Sequence, residues 1–149
     1  MSGSLDVHVV TPEREVWSGP AETVIARGVD GEVGILTGHA PMMVQLAIGP
    51  LRIHREGDGE LAAVIDGGFM HVTSAGGEEG GERGTRVDVL AAHAELAGDI
   101  DVDAAKARAA ELEERLQNHD TQLAEADVAA IRGELKKALA RIALATVGS

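Results

Sequence analysis

Cysteine is absent from this 149-residue chain, which removes disulfides, thiolate metal sites and cysteine nucleophiles and is compatible with a reducing compartment. Aromatic side chains are nearly absent too. One Phe and one Trp leave no platform for stacking bases or sugars, so single-strand and carbohydrate binding lose support. Positive charge is scarce: 13 basic against 25 acidic side chains give a formal charge of -12, so a phosphate backbone or an anionic bilayer repels the molecule as a whole. No nucleic-acid partner is expected. The opening MSGSLDVHVV has neither the basic start nor the long apolar run of a secretory signal, and no segment approaches the roughly 20 apolar residues that cross a bilayer. The expectation is a soluble chain, large enough for one domain or a domain with an appendage, that reaches a membrane only through protein partners.

The catalytic signatures are missing as well. A phosphate loop needs Gly-Lys-Ser/Thr, but Lys106, Lys136 and Lys137 all fall in a helical region and none follows glycine. No Gly-x-Ser-x-Gly elbow is present. His8, His39, His54, His71, His93 and His119 are scattered without the spacing that sets two ligands on one helix face, and His93-Ala-Glu95 lacks the cysteines of a zinc deaminase. Asp99, Asp101 and Asp103 start like a calcium loop, yet Ala104 and Ala110 stand where Gly and Glu are needed, and helix capping explains the carboxylates better. The pairs Glu78/Glu79 and Glu113/Glu114 lie in a Gly-rich loop and on a helix surface, neither of which separates an acid from a base. No catalytic, metal-binding or cofactor-binding residue is assigned.

What is there divides in two. From Leu5 to about Leu96 short apolar runs of four to seven residues, LDVHVV, TVIA, MVQLAI, LRIH, LAAVID, FMHVT and RVDVL, are separated by Gly, Pro, Asp or Ser. That spacing predicts an antiparallel β-sandwich or flattened barrel. Leu51 and Ile53 share one face of LRIHRE, and Arg52, His54 and Glu56 the other, so the burial is one-sided. AGGEEGGERGT, from Ala75 to Thr85, reads as a mobile hairpin tip. Past Leu96 the texture becomes helical. A first helix carries Ala105, Ala109, Leu112 and Leu116, an interruption follows at Asn118, His119, Asp120 and Thr121, and a second helix carries Leu123, Val128, Ile131, Leu135, Leu139 and Ile142. The expected architecture is therefore mainly β plus α, with a β-sandwich domain over 1–98 and an antiparallel helical hairpin over 99–149.

The most informative stretch is DGEVGILTGHAPMM, Asp30 to Met43. Gly31, Gly34 and Gly38 alternate with Val33, Ile35 and Leu36 before the run closes on His39, Ala40 and Pro41, which reads as a short strand entering a tight, exposed turn. Taken alone it also fits an ordinary hairpin connection. With VIDGGFMHV (Val64 to Val72), VDVLAAHAELAGDIDVDAAKA (Val87 to Ala107) and the opening LDVHVVTPEREVWSG, it resembles the epsilon subunit of bacterial F-type ATP synthases over nearly the whole length.

The resemblance implies a non-enzymatic central-stalk subunit that binds the gamma subunit, rests on the ring of c subunits and helps couple proton flow to ATP synthesis, peripheral at the cytoplasmic face of the cell membrane. By the same resemblance Glu32, Gly38 and His39 contact the c ring. The helical hairpin would swing into the alpha/beta catalytic head and block hydrolysis, with Arg132, Lys136, Lys137 and Arg141 meeting an acidic surface there. Some bacterial members bind ATP on the hairpin through Ile/Leu-Asp-x-x-Arg-Ala. The matching residues here are Ile100, Asp101, Val102, Asp103, Ala104 and Ala105, so Ala104 replaces the arginine and weak or no ATP binding is expected. The rival reading is a free-standing small-molecule-binding or catalytic β-sandwich.

Overall fold

The computed structural model describes residues 5–76, 83–117 and 124–147. The chain divides into two compact units, Met1–Leu96 and Ala97–Ser149, two residues before the boundary expected from the change in texture. The tip of the Gly/Glu-rich loop at 77–82, the interruption at 118–121 and Leu123 lie outside the described residues.

Among the described residues the first unit has nine strands: β1 (Leu5–Val10), β2 (Glu15–Ala21), β3 (Thr23–Gly28), β4 (Gly31–Leu36), β5 (Met42–Arg55), β6 (Gly59–Ile65), β7 (Gly68–Gly76), β8 (Arg83–Ala91) and β9 (Ala94–Leu96). One layer runs β2-β1-β8-β7 and ends on the first part of β5, where Met42 to Leu46 pair with β7. The second part of β5 pairs with β6 on one side and β3 on the other, and β4 and β9 complete that layer. The runs MVQLAI and LRIH, expected as separate strands, are thus one 14-residue strand. Gly49 and Pro50 mark its passage between layers instead of a turn. A side chain at Gly49 would lie 2.9 Å from Arg27 Cδ, so the missing Cβ lets the arginine stem lie against the bend.

Alternation along each strand builds the core. Leu5, Val7, Val9, Met70, Val72, Val87 and Val89 point inward from one layer, and Val24, Ala26, Ile35, Leu51, Ile53, Ala63 and Ile65 from the other. Each Leu, Ile or Val so enclosed contributes roughly 1.5–3 kcal/mol. The one-sided burial expected for LRIHRE is present: Leu51 and Ile53 are buried, while Arg52 Nη1 reaches Glu60 at 3.2 Å on the wet face. One pairing departs from the antiparallel pattern. β1 lies parallel to β8, in step from Leu5↔Thr85 to Val10↔Leu90. Parallel and antiparallel strands share the same two-residue alternation, so the apolar pattern does not distinguish them.

In the second unit a 3-10 turn, Ala97–Asp99, precedes α1 (Val102–Gln117), and α2 (Glu125–Val147) packs against α1 as a helical hairpin. Of the three leading aspartates, Asp101 is the cap: its Oδ1 accepts the Ala104 N–H at 3.0 Å, while its carbonyl accepts that of Ala105. On α1 the inward stripe is as expected, with Ala105, Ala109 and Leu112 buried. On α2 it differs by one position, because Leu139 is 45% exposed and Ala138 is buried in its place. At about 100° per residue, Leu135, Ala138 and Ile142 stay within about 40° of Ile131, whereas Leu139 has turned about 80° away.

Candidate functional site

The connection between β4 and β5 is a built turn. His39 N–H donates to the Leu36 carbonyl at 3.0 Å, closing a four-residue turn whose third position is Gly38 with φ +89°. That backbone conformation suits a residue without a Cβ. Gly38 N–H in turn donates to Thr85 Oγ1 at 2.7 Å, tying the turn to β8. Thr85 is only 2% exposed and occupies the first inward position of the series Thr85, Val87, Val89, Ala91. It escaped the sequence reading. The available signal was a hydroxyl where alternation calls for an apolar side chain.

His39 Nδ1 lies 2.8 Å from the Ala40 carbonyl, so Nδ1 carries the proton in that hydrogen bond and Nε2 is directed elsewhere. The ring is half-buried, and Leu36 beside the turn is 60% exposed. Glu32 belongs to the other end of β4, next to the turn that joins β3 to β4, and its carboxylate is exposed. Four residues of strand, roughly 13 Å, separate it from Leu36. Among the described residues no hydrogen bond or ion pair joins Glu32 to His39. Gly38 and His39 are thus brought together in one turn, and Glu32 is not part of it.

Glu32 instead borders an open hollow of about 330 Å³ lined by residues 28–33 and 42–45. Val29 and Met43 give it an exposed apolar wall. Its floor depends on Gly28, where a Cβ would sit 2.9 Å from Val44 Cγ1 and 3.0 Å from the Gly31 carbonyl oxygen.

The α2 cations do not form one patch. Arg132 and Lys136 are exposed and share a face at i, i+4 spacing. Lys137 and Arg141 lie about 100–180° further around the helix, Lys137 Nζ sits 3.3 Å from Glu134 Oε1, and Arg141 is half-buried. Among the described residues no group of three His, Asp or Glu is placed to hold a metal ion, and no helix is long and apolar enough to cross a membrane.

Residues 4–76 match the family model for the β-sandwich domain of the ATP synthase delta/epsilon chain. Beyond that segment, the ATP synthase epsilon chain of Thermobifida fusca is 42% identical over 142 residues, 94% of this chain and 96% of that protein, helices included. The chain belongs to the ATP synthase epsilon-chain family. The epsilon chain of Brevibacillus brevis is 47% identical over 119 residues, covering 80% of this chain and 83% of its own. A chain in the OSCP/F1/c-ring structure of the Euglena gracilis mitochondrial ATP synthase superposes with a TM-score of 0.72 at 25% identity, covering 99% of this chain and 83% of that one. As an epsilon chain the protein is a non-catalytic stalk subunit of an ATP synthase, and the free-standing binder or enzyme is set aside.

Proposed function

We propose that this subunit joins the rotor of a proton-translocating ATP synthase at the cytoplasmic face of the membrane, with the sandwich as the fixed element and the helical hairpin as a brake on hydrolysis. The single observation that carries this reading is a relative that matches it through both units, sandwich and helices, at 42% identity. The gamma subunit, the c ring and the catalytic head are its partners. Glu32, Gly38 and His39 form the c-ring contact in two places, the exposed carboxylate at the turn end of β4 and the Thr85-anchored turn beyond its other end. A turn held by two backbone N–H donors presents the His39 ring with little entropy left to lose on binding.

Arg132 and Lys136 are the exposed pair suited to an acidic surface on the head, with Lys137 and Arg141 on another side of α2. The hairpin binds ATP weakly or not at all. Asp101, which occupies the carboxylate position of the nucleotide motif, is already engaged as the helix cap, and Ala104 supplies no guanidinium. Removal of all residues after Gly98 tests the brake: ATP hydrolysis by the reconstituted enzyme should rise, and an unchanged rate would count against it.

A further inference from the structure

On the outer face of the first layer, one imidazole sits between two carboxylates from different strands. His8 Nδ1 is 3.2 Å from Glu15 Oε1 on β2, and His8 Nε2 is 3.0 Å from Asp6 Oδ1 on β1. A bulge makes this possible. The register of β1 with β2 slips between Val9↔Trp17 and Val10↔Glu15, so Val16 is the extra residue and Glu15 returns to the outer face beside His8. Two more charges face the ring from β8, Asp88 directly across the parallel register and Arg86 opposite Asp6. Arg86 Nε spends its hydrogen bonds on Asp88, at 3.2 and 2.9 Å to the two oxygens, and among the described residues no lysine or arginine is hydrogen-bonded to Asp6 or Glu15.

We propose that the edge strand β2 is fastened by a proton: His8 as imidazolium bridges Asp6 and Glu15, and its loss of that proton loosens the bulged end of β2 around Trp17. The chemistry is that of a two-sided donor. An imidazolium has an N–H on each side, whereas the neutral ring keeps one and turns a lone pair toward the other carboxylate. Attraction on that side then becomes repulsion. The two contacts are unequal: Glu15 on β2 accepts a directed bond from Nδ1, while the enclosed Nε2 faces Asp6 on His8's own strand without an aligned hydrogen bond, so loss of the proton weakens the tie to β2 by removing the positive charge from the Glu15 bond.

The ring is 22% exposed and the carboxylates 56% and 52%, so the proton leaves from a sheltered nitrogen between two wet acceptors. The Glu15 hydrogen bond holds the His8 pKa above its ordinary 6.5; burial of the ring opposes it, Asp6 adds to it, and the Arg86 charge subtracts. A raised folded-state value means that the fastening is complete below about 6.5 and is lost as pH rises through the folded-state value. The latch lies two residues along β1 from Val10, where the row Val10, Leu90 and Phe69 crosses the same outer face with Leu90 and Phe69 exposed. A loosened β2 would therefore be felt at the border of that apolar strip.

The full chain carries its own reporter, because Trp17 on β2 is the only tryptophan. The His8 ring is titrated by NMR and Trp17 by fluorescence between about pH 5 and 9. Both should give one transition with a common midpoint above 6.5. Glu15→Gln should lower both midpoints, and His8→Gln should abolish the Trp17 transition. The proposal is overturned by a His8 midpoint at or below 6.5, by a midpoint indifferent to Glu15→Gln, by a Trp17 signal that stays flat while His8 titrates, or by a Trp17 transition that survives His8→Gln. The wild-type and Glu15→Gln titrations decide the matter even where His8→Gln fails to fold.

Discussion

The two units bury very different side chains. In the sandwich, Leu5, Ile35, Leu51, Ile53 and Met70 are enclosed to within 1% exposure, and the strands that carry them are joined across long stretches of sequence, as where Leu5 pairs with Thr85. In the helical unit three of the seven buried hydrophobic residues are Ala105, Ala109 and Ala138, with Ile100, Leu112, Ile131 and Leu144 as the larger members. An enclosed Leu or Ile contributes roughly 1.5–3 kcal/mol and an Ala far less. The hairpin's contacts are also local, between two helices adjacent in sequence. Opening of the hairpin should therefore cost less free energy than opening of the sandwich, which is the arrangement expected when one part holds position and the other moves.

The largest effect should follow from Gly68→Ala. Gly68 holds φ +122°, and an added Cβ would fall on the Leu90 carbonyl oxygen and within 2.8 Å of Ala91 Cα, both fixed in β8. Loss of about 3 kcal/mol or more is expected from combined strain and overpacking, seen as a lower denaturant midpoint of the Trp17 transition. A midpoint within error of the parent would show that the sheet yields there. Leu112→Ala comes next, at about 2–5 kcal/mol, because it empties the largest fully enclosed position of α1. Its expected signature breaks the symmetry between units: the far-UV helical signal and protection from protease fall over residues 97–149 while the Trp17 transition stays put. A matching shift of both signals would mean that the two units unfold as one and would void the comparison.

Legibility followed the same division. Strand alternation in LRIHRE identified Leu51 and Ile53 as inward positions because a period of two is a local property of the chain. The parallel placement of β1 beside β8 was hidden, since no local pattern encodes a partner roughly 80 residues away. β9, only three residues long, had no periodicity to read. Gly49-Pro50 signalled a break correctly but not its kind, for the same two residues serve a turn or a bend between layers. In the loop, the need for glycine at position 38 was readable from the motif, while its anchor on Thr85 depended on a 47-residue jump. The four α2 cations looked like one basic segment in sequence, yet helical geometry divides them between faces.

The smallest predicted effect tests that division most sharply. On periodicity alone, Leu139 belongs to the stripe of Ile131 and Leu135, and its truncation would cost as much as any core leucine. The structure leaves it 45% exposed, with Ala138 turned inward beside Ile131. Leu139→Ala should then change the stability of the hairpin by no more than about 0.5 kcal/mol, as Ala is also the better helix former. Ile131→Ala, eight residues earlier and 5% exposed, should cost about 2 kcal/mol or more by the same helical signal. The ratio of the two matters more than either value. Equal losses would restore Leu139 to the core and shift the packed face of α2 by one residue, and with it the division that sets Arg132 and Lys136 apart from Lys137 and Arg141.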